Sequence, residues 1–195
     1  MKNSFKNLKK QKKGFTLIET LVAIAILITS VIGPLSIAYQ GVSLSLLARD
    51  QITASFLAQE GLEFVRFRIG TNHNSGKSGD ELITSGDDYS LGECSGDYCI
   101  IDPFVAPSSA VTNCDLDLYK DTTPGECRYL KYDSVTGKYN YAIGEDTNFR
   151  RFILIDYDVS DPSSTEFQVE SRVEWGKPGD VRSVILKEVI MDWPV

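Results

Sequence analysis

Histidine is almost missing from this 195-residue chain: the one copy, His73, precedes the first cysteine and lies in a stretch of Gly, Ser, Asn and Asp that reads as a surface loop. There is no Gly-x-Ser-x-Gly elbow either. Base-assisted nucleophilic catalysis and histidine-centred metal chemistry therefore have little to work with, and neither an enzyme nor a cofactor is expected. The four cysteines, Cys94, Cys99, Cys114 and Cys127, are spaced C-x4-C and C-x12-C, without the paired C-x2-C rhythm of structural zinc. Disulfides in an oxidising compartment fit better. Three connectivities are open, and the two sequence-local pairs are the simplest. Basic charge is scarce beyond the start of the chain. Six of the 20 lysines and arginines fall within residues 1–14, leaving 14 against 27 acidic residues, so nucleic acid is not expected as a direct partner.

Residues 1–14 carry no acid, and from Phe15 to Tyr39 the chain runs 25 residues with Glu19 as its one charge. As a helix this run reaches roughly 37 Å, enough to cross a bilayer core of about 30 Å with some tilt. Lysines before it and acids after it place residues 1–13 in the cytoplasm and the rest across the membrane, where disulfides form. Gly33-Pro34 falls late in the run, and proline there predicts a kink or local melting. Glu19 is the anomaly. An acid deep in hydrocarbon costs roughly 2 to 3 kcal/mol, so it is expected to have a partner or a task.

The stretch that carries it is Gly14-Phe15-Thr16-Leu17-Ile18-Glu19, preceded by Lys9, Lys10, Lys12 and Lys13 and followed by Thr20-Leu21-Val22-Ala23-Ile24-Ala25-Ile26-Leu27. It resembles the class III leader and N-terminal helix of type IV prepilins and type II secretion pseudopilins. The resemblance implies cleavage after Gly14 by a prepilin peptidase, N-methylation of the new terminus at Phe15, and assembly with other pilin-like subunits from the inner membrane and its assembly platform. It also implies that the mature amine of one subunit meets Glu19 of a neighbour. Cleavage supplies that cation, since the precursor has only a neutral amide at the same place, which makes Glu19 an assembly residue. A rival reading is a secretory signal cut after Ser36-Ile37-Ala38, releasing a binding domain that never polymerises. The apolar run is too long for that and contains an acid.

Beyond the membrane run, residues 40–69 keep helical spacing, with Leu47, Ala54, Leu57, Ala58, Gly61, Phe64 and Val65 on one stripe, and read as an amphipathic stalk. Residues 70–127 read as an irregular, cysteine-containing region. Within it, residues 70–78 satisfy the phosphate-loop pattern G-x4-G-K-[ST], but a helix precedes them instead of a strand, so the match reads as chance. Asp115, Asp117 and Asp121 offer oxygens to calcium without the glycine and glutamate of an EF-hand loop, so a solvated acidic loop is the better account. Residues 128–195 change period. A hairpin around residues 133–137, then strands at 151–159, 166–175 and 181–191, predict an antiparallel sheet. In the strand at 166–175, Phe167, Val169, Val173 and Trp175 alternate with Gln168, Glu170, Arg172 and Glu174 as dry and wet faces. The expected fold is α+β: a long N-terminal helix, half membrane-spanning and half amphipathic, packed on the sheet of a head domain, as in pilins. The 68 residues after Cys127 depart from the C-terminal disulfide loop common in major pilins and favour a minor pilin or pseudopilin.

Overall fold

The computed structural model describes residues 14–84, 90–104, 111–114, 127–157, 166–177 and 179–192. Asp115, Asp117 and Asp121, residues 1–13 of the expected leader, and Pro178 lie outside these. The chain divides into two compact units, Met1–Leu47 and Ala48–Val195. A single helix, α1 (Leu17–Asn74), supplies nearly all of the described part of the first and the opening element of the second.

In the first unit no described residue is buried: the leucines, isoleucines and valines of its part of α1 are exposed, apart from the half-buried Leu47. Length and composition suffice for a membrane crossing. Three of its hydroxyls are satisfied within the helix. Thr20 donates to the Leu17 carbonyl, Thr29 to those of Ala25 and Ile26, and Ser30 to that of Leu27, so these groups are not offered unsatisfied to lipid. The helix continues through Gly33 and Pro34 without interruption, which removes the local melting expected there. One missing N–H is too small a loss to unwind a helix held by hydrogen bonds on either side.

The second unit is built on five strands, β1 (Cys99–Ile101), β2 (Val111–Asn113), β6 (Phe149–Asp156), β7 (Glu166–Lys177) and β8 (Asp180–Met191). They form one antiparallel sheet in the order β2-β1-β6-β7-β8. Between β2 and β6 in the chain, β3 (Lys131–Asp133), β4 (Lys138–Asn140) and β5 (Glu145–Asp146) form a separate three-stranded sheet. The strands expected at 151–159, 166–175 and 181–191 are present with shifted ends, and the hairpin around residues 133–137 forms.

Three expectations are corrected. Residues 70–127 are not wholly irregular, because β1 and β2 come from this region, β1 pairing with both β2 and β6. Each has only three residues, too short to leave a period-2 signal. Residues 128–195 do not form one sheet, since the hairpin closes on β5 instead. The wet face of β7 is wet only in part: Glu174 is buried, with Arg150 at 3.4 Å and Arg172 at 2.7 Å. A carboxylate placed between two guanidinium groups exchanges water for charge-assisted hydrogen bonds.

The core lies between α1 and the sheet. Ala54, Leu57, Ala58, Gly61, Leu62, Val65 and Ile69 are buried on one stripe of the helix. Phe149, Ile153 and Ile155 of β6 and Phe167, Val169, Val173 and Trp175 of β7 pack with that stripe in two clusters. Gly61 sets the spacing. A β-carbon there would lie 2.7 Å from both Ile153 Cδ1 and Ser171 Oγ, so any larger residue would require these side chains to move for helix and sheet to stay this close. Arg151, 2% exposed, ties three elements together: it donates to the carbonyls of Leu57 (3.2 Å) and Ile101 (3.1 Å) and to Glu60 Oε2 (2.5 Å). The disulfides are Cys94–Cys99 and Cys114–Cys127, the sequence-local pairing. The first joins the 3-10 turn Gly92–Cys94 to β1 and the second closes the segment after β2, with all four cysteines buried.

Candidate functional site

The predicted processing residues sit at the start of α1. Gly14, Phe15 and Thr16 precede the helix in non-helical, exposed chain, and Leu17 opens it. Thr16 caps the helix: its carbonyl accepts from the Glu19 and Thr20 N–H groups at 3.1 and 3.2 Å, and its hydroxyl accepts from Glu19 N–H at 3.3 Å. Thr16-x-x-Glu19 therefore has the residues and spacing of a capping box, with Glu19 three positions past the cap. The free N–H groups of the first turn favour a negative side chain there. The signal is present in the sequence as Thr-x-x-Glu before an apolar run, where the cost of an acid in hydrocarbon overshadows it.

Further along α1, within the second unit, Ile52, Phe56 and Phe67 are each more than half exposed. At 100° per residue they fall opposite the buried stripe of Ala54, Leu57, Ala58, Gly61 and Val65. The stalk thus has two apolar faces, one covered by its own sheet and one open. Helical spacing in the sequence marked only the first.

His73 is not in a loop. It occupies the last turn of α1, and its Nδ1 lies 3.0 Å from Asp192 Oδ1, while Asp192 Oδ2 accepts from the Gly79 N–H at 3.1 Å. The pair fastens the end of β8 to the end of α1. The phosphate-loop match fails on geometry, since Gly70 to Asn74 are helical and the only helix just beyond Lys77 and Ser78 is α2 (Glu81–Thr84), four residues long. Among the described residues no three His, Cys, Asp or Glu side chains gather to hold a metal.

Electrostatics elsewhere in the head serve packing. Tyr141, buried in the core, donates to the Arg151 carbonyl at 2.9 Å, and burial pushes its hydroxyl up to about 12. Asp102, also buried, accepts from the backbone N–H groups of Phe104 and Tyr141 at 3.0 and 3.1 Å. Asp133 is held below the usual carboxylate range by the Thr136 hydroxyl and the Val135 N–H in the β3–β4 turn.

Fold and site together define an α+β head on a helix long and apolar enough to cross a membrane, with a glycine-aromatic junction just before the helix and an acid in its first turn. Residues 9–33 match the family model of the prokaryotic N-terminal methylation motif, the signal of type IV pilins and pseudopilins. That motif belongs to a structural class, with processing by a prepilin peptidase and assembly with other subunits. No curated protein and no solved structure matches the chain.

Proposed function

We propose that this chain is a structural subunit of a type IV pilus or related pseudopilus, and a minor one. Residues 1–14 are the cytoplasmic leader, removed after Gly14 by prepilin peptidase, and Phe15 becomes the methylated N-terminus. Residues 15–39 hold the subunit in the membrane, 40–69 form the stalk, and the head stands outside the cytoplasm. The observation that carries the reading is the coincidence of the methylation motif with the start of α1: the Gly14–Phe15 bond is exposed and non-helical, and the apolar helix beyond it is uncovered among the described residues. An apolar surface of that length needs lipid or other helices around it. Processing provides the Phe15 amine as a cation for Glu19 of an adjacent subunit, which fixes the register in which helices stack. The open face of Ile52, Phe56 and Phe67 offers the stalk a second packing surface. Minor status rests on the place of the two disulfides, Cys94–Cys99 and Cys114–Cys127, both of which precede β6 to β8 in the chain.

A cut after Ala38 is disfavoured because that bond lies inside unbroken helix. The test is to express the chain with and without a prepilin peptidase and read the N-terminal mass. A peptidase-dependent start at methylated Phe15 is expected. A start at Met1 or Tyr39 with the peptidase present refutes the reading. Gly14→Ala should block maturation, whereas Glu19→Ala should leave processed protein in the membrane and lower its incorporation into fibres.

A further inference from the structure

The two edges of the five-stranded sheet differ. One is β2, three residues long, which protects itself by brevity. The other is β8, twelve residues long, hydrogen-bonded to β7 through twelve consecutive register pairs with no bulge between them. Among the described residues β8 pairs with β7 alone, leaving the opposite row of N–H and C=O groups unpaired. It contains no proline. Its one lysine, Lys187, is drawn onto Glu170 at 2.8 Å. Four of the six side chains on its outer face are apolar as well: Val181, Ile185, Val189 and Met191 are 41% to 50% exposed, with Ser183 and Lys187 between them.

Grooves flank the same end of this strand on both faces of the sheet. On the helix side, a groove of about 420 Å³ runs between α1 and β8 over Ile69, Leu82 and Ile190. It contains the Arg66–Glu188 pair (2.6 Å) and the His73–Asp192 pair (3.0 Å). On the outer side, a smaller groove of about 170 Å³ crosses from β8 onto β7 and β6, over Val189 and Leu154 with Gln168, Glu170 and Lys187 beside them. A free strand edge with a depression on each face is what an added strand requires: its main chain completes the ladder and its alternate side chains enter the two grooves. Toward the other end of β8, the Arg182 side chain is 45% exposed, and its ion pair among the described residues is a long one, to Asp180 at 3.9 Å.

We propose that β8 receives an extended segment of a partner protein as a sixth strand. Residues opposite Val184 to Ile190 are apolar or β-branched on both faces, and a carboxylate lies beside Arg182. The apolar stripe of β8 selects the first feature and the under-matched guanidinium the second. This surface is built only from residues of the second unit, so it stands whether or not the chain is processed after Gly14.

The test uses the full chain in bilayer discs and hydrogen exchange at β8. The probe is a short acetylated peptide alternating valine and threonine with one terminal glutamate, added at about 1 mM, the range suited to an isolated strand. Those β8 amides that point away from β7 should slow about tenfold, while the set already bonded to β7 changes little. The same peptide N-methylated at alternate residues cannot complete the ladder and should have no effect. Arg182→Glu should transfer preference to a lysine-ended peptide by about tenfold. Unchanged β8 exchange, equal protection by the N-methylated peptide, or no preference switch in Arg182→Glu each overturns the proposal. Protection that rises with protein concentration and no peptide also overturns it, because a second copy of the chain would then be the occupant.

Discussion

The contact at Gly61 can be tested as a double-mutant cycle. In helix interiors glycine to alanine gains about 1 kcal/mol, so Gly61→Ala on an open face would stabilise. Here the new methyl would sit 2.7 Å from Ile153 Cδ1 and Ser171 Oγ and 3.3 Å from Arg151 Cδ. Overpacking of this kind costs about 1 to 3 kcal/mol, which exceeds the propensity gain and leaves a net loss of about 1 kcal/mol. Ser171 contributes a second effect. Its hydroxyl is buried without a hydrogen-bond partner among the described residues, and relieving such a group returns about 1 kcal/mol. Ser171→Ala should therefore stabilise. In the double variant the alanine methyl at 61 takes the space of the lost hydroxyl and Ile153 Cδ1, the end of a flexible side chain, can rotate. The double should exceed the sum of the singles by about 1 kcal/mol. Urea unfolding followed by emission of Trp175, which is buried in the same core, gives all four stabilities. Stabilisation by Gly61→Ala alone, with no coupling to residue 171, would refute the close approach of helix and sheet.

Three further predictions concern the head. Arg151→Ala, which strips Glu60 and the carbonyls of Leu57 and Ile101 of their donor, should cost about 3 to 5 kcal/mol, while Arg151→Met should cost less because it keeps the volume; urea midpoints separate the two. Tyr141 has its hydroxyl raised to about 12 against about 10 unfolded, so the unfolded chain releases the proton first as pH rises. Stability from this group is present below pH 10 and lost between 10 and 12, by about 3 kcal/mol, and Tyr141→Phe should flatten that window in melting curves against pH. Replacing Cys114 and Cys127 by alanine should cost about 3 kcal/mol and replacing Cys94 and Cys99 about 2, following separations of 13 and 5 residues; calorimetry of the two variants checks the order.

How much of this could be read from the chain depends on how local the determining physics is. The helix from Leu17, its buried stripe of Ala54, Leu57, Ala58, Gly61 and Val65, and strands β6 to β8 are periodic over many residues and were legible. Strands β1 and β2 were not. Three residues cannot express a period, and their place in the sheet depends on β6, which lies far along the chain. The burial of Glu174 depends on Arg150 and Arg172, and the fastening of His73 depends on Asp192, 119 residues along the chain. Alternation marks which face a side chain occupies but says nothing of what covers that face. Of the candidate site, Gly14, Phe15 and Glu19 were visible as a motif. The capping role of Thr16 and the open stripe of Ile52, Phe56 and Phe67 emerged only with the helix register in hand.

The capped helix start gives Glu19 a second setting besides the amine pairing proposed for it, and the two make different demands. The position of Glu19, third past the Thr16 cap, favours an acid whether or not a leader has been removed, because the first-turn N–H groups are present in precursor and mature chain alike. Capping therefore cannot be what processing switches on. The Phe15 amine can be, since it exists only after cleavage and requires a charge opposite. Glutamine distinguishes the roles: it serves a capping box about as well as glutamate but carries no charge to pair with an ammonium. Glu19→Gln should keep peptidase cleavage and membrane insertion at wild-type levels while fibre incorporation falls about as far as in Glu19→Ala. Thr16→Ala should do the reverse, weakening the helix start by about 1 kcal/mol with the charge pair intact. N-terminal mass, membrane fractionation and the amount of subunit in sheared fibres read out the three quantities. If Glu19→Gln assembles like the wild type, the carboxylate works through the helix cap alone, and its pairing with a neighbour's amine drops out of the account.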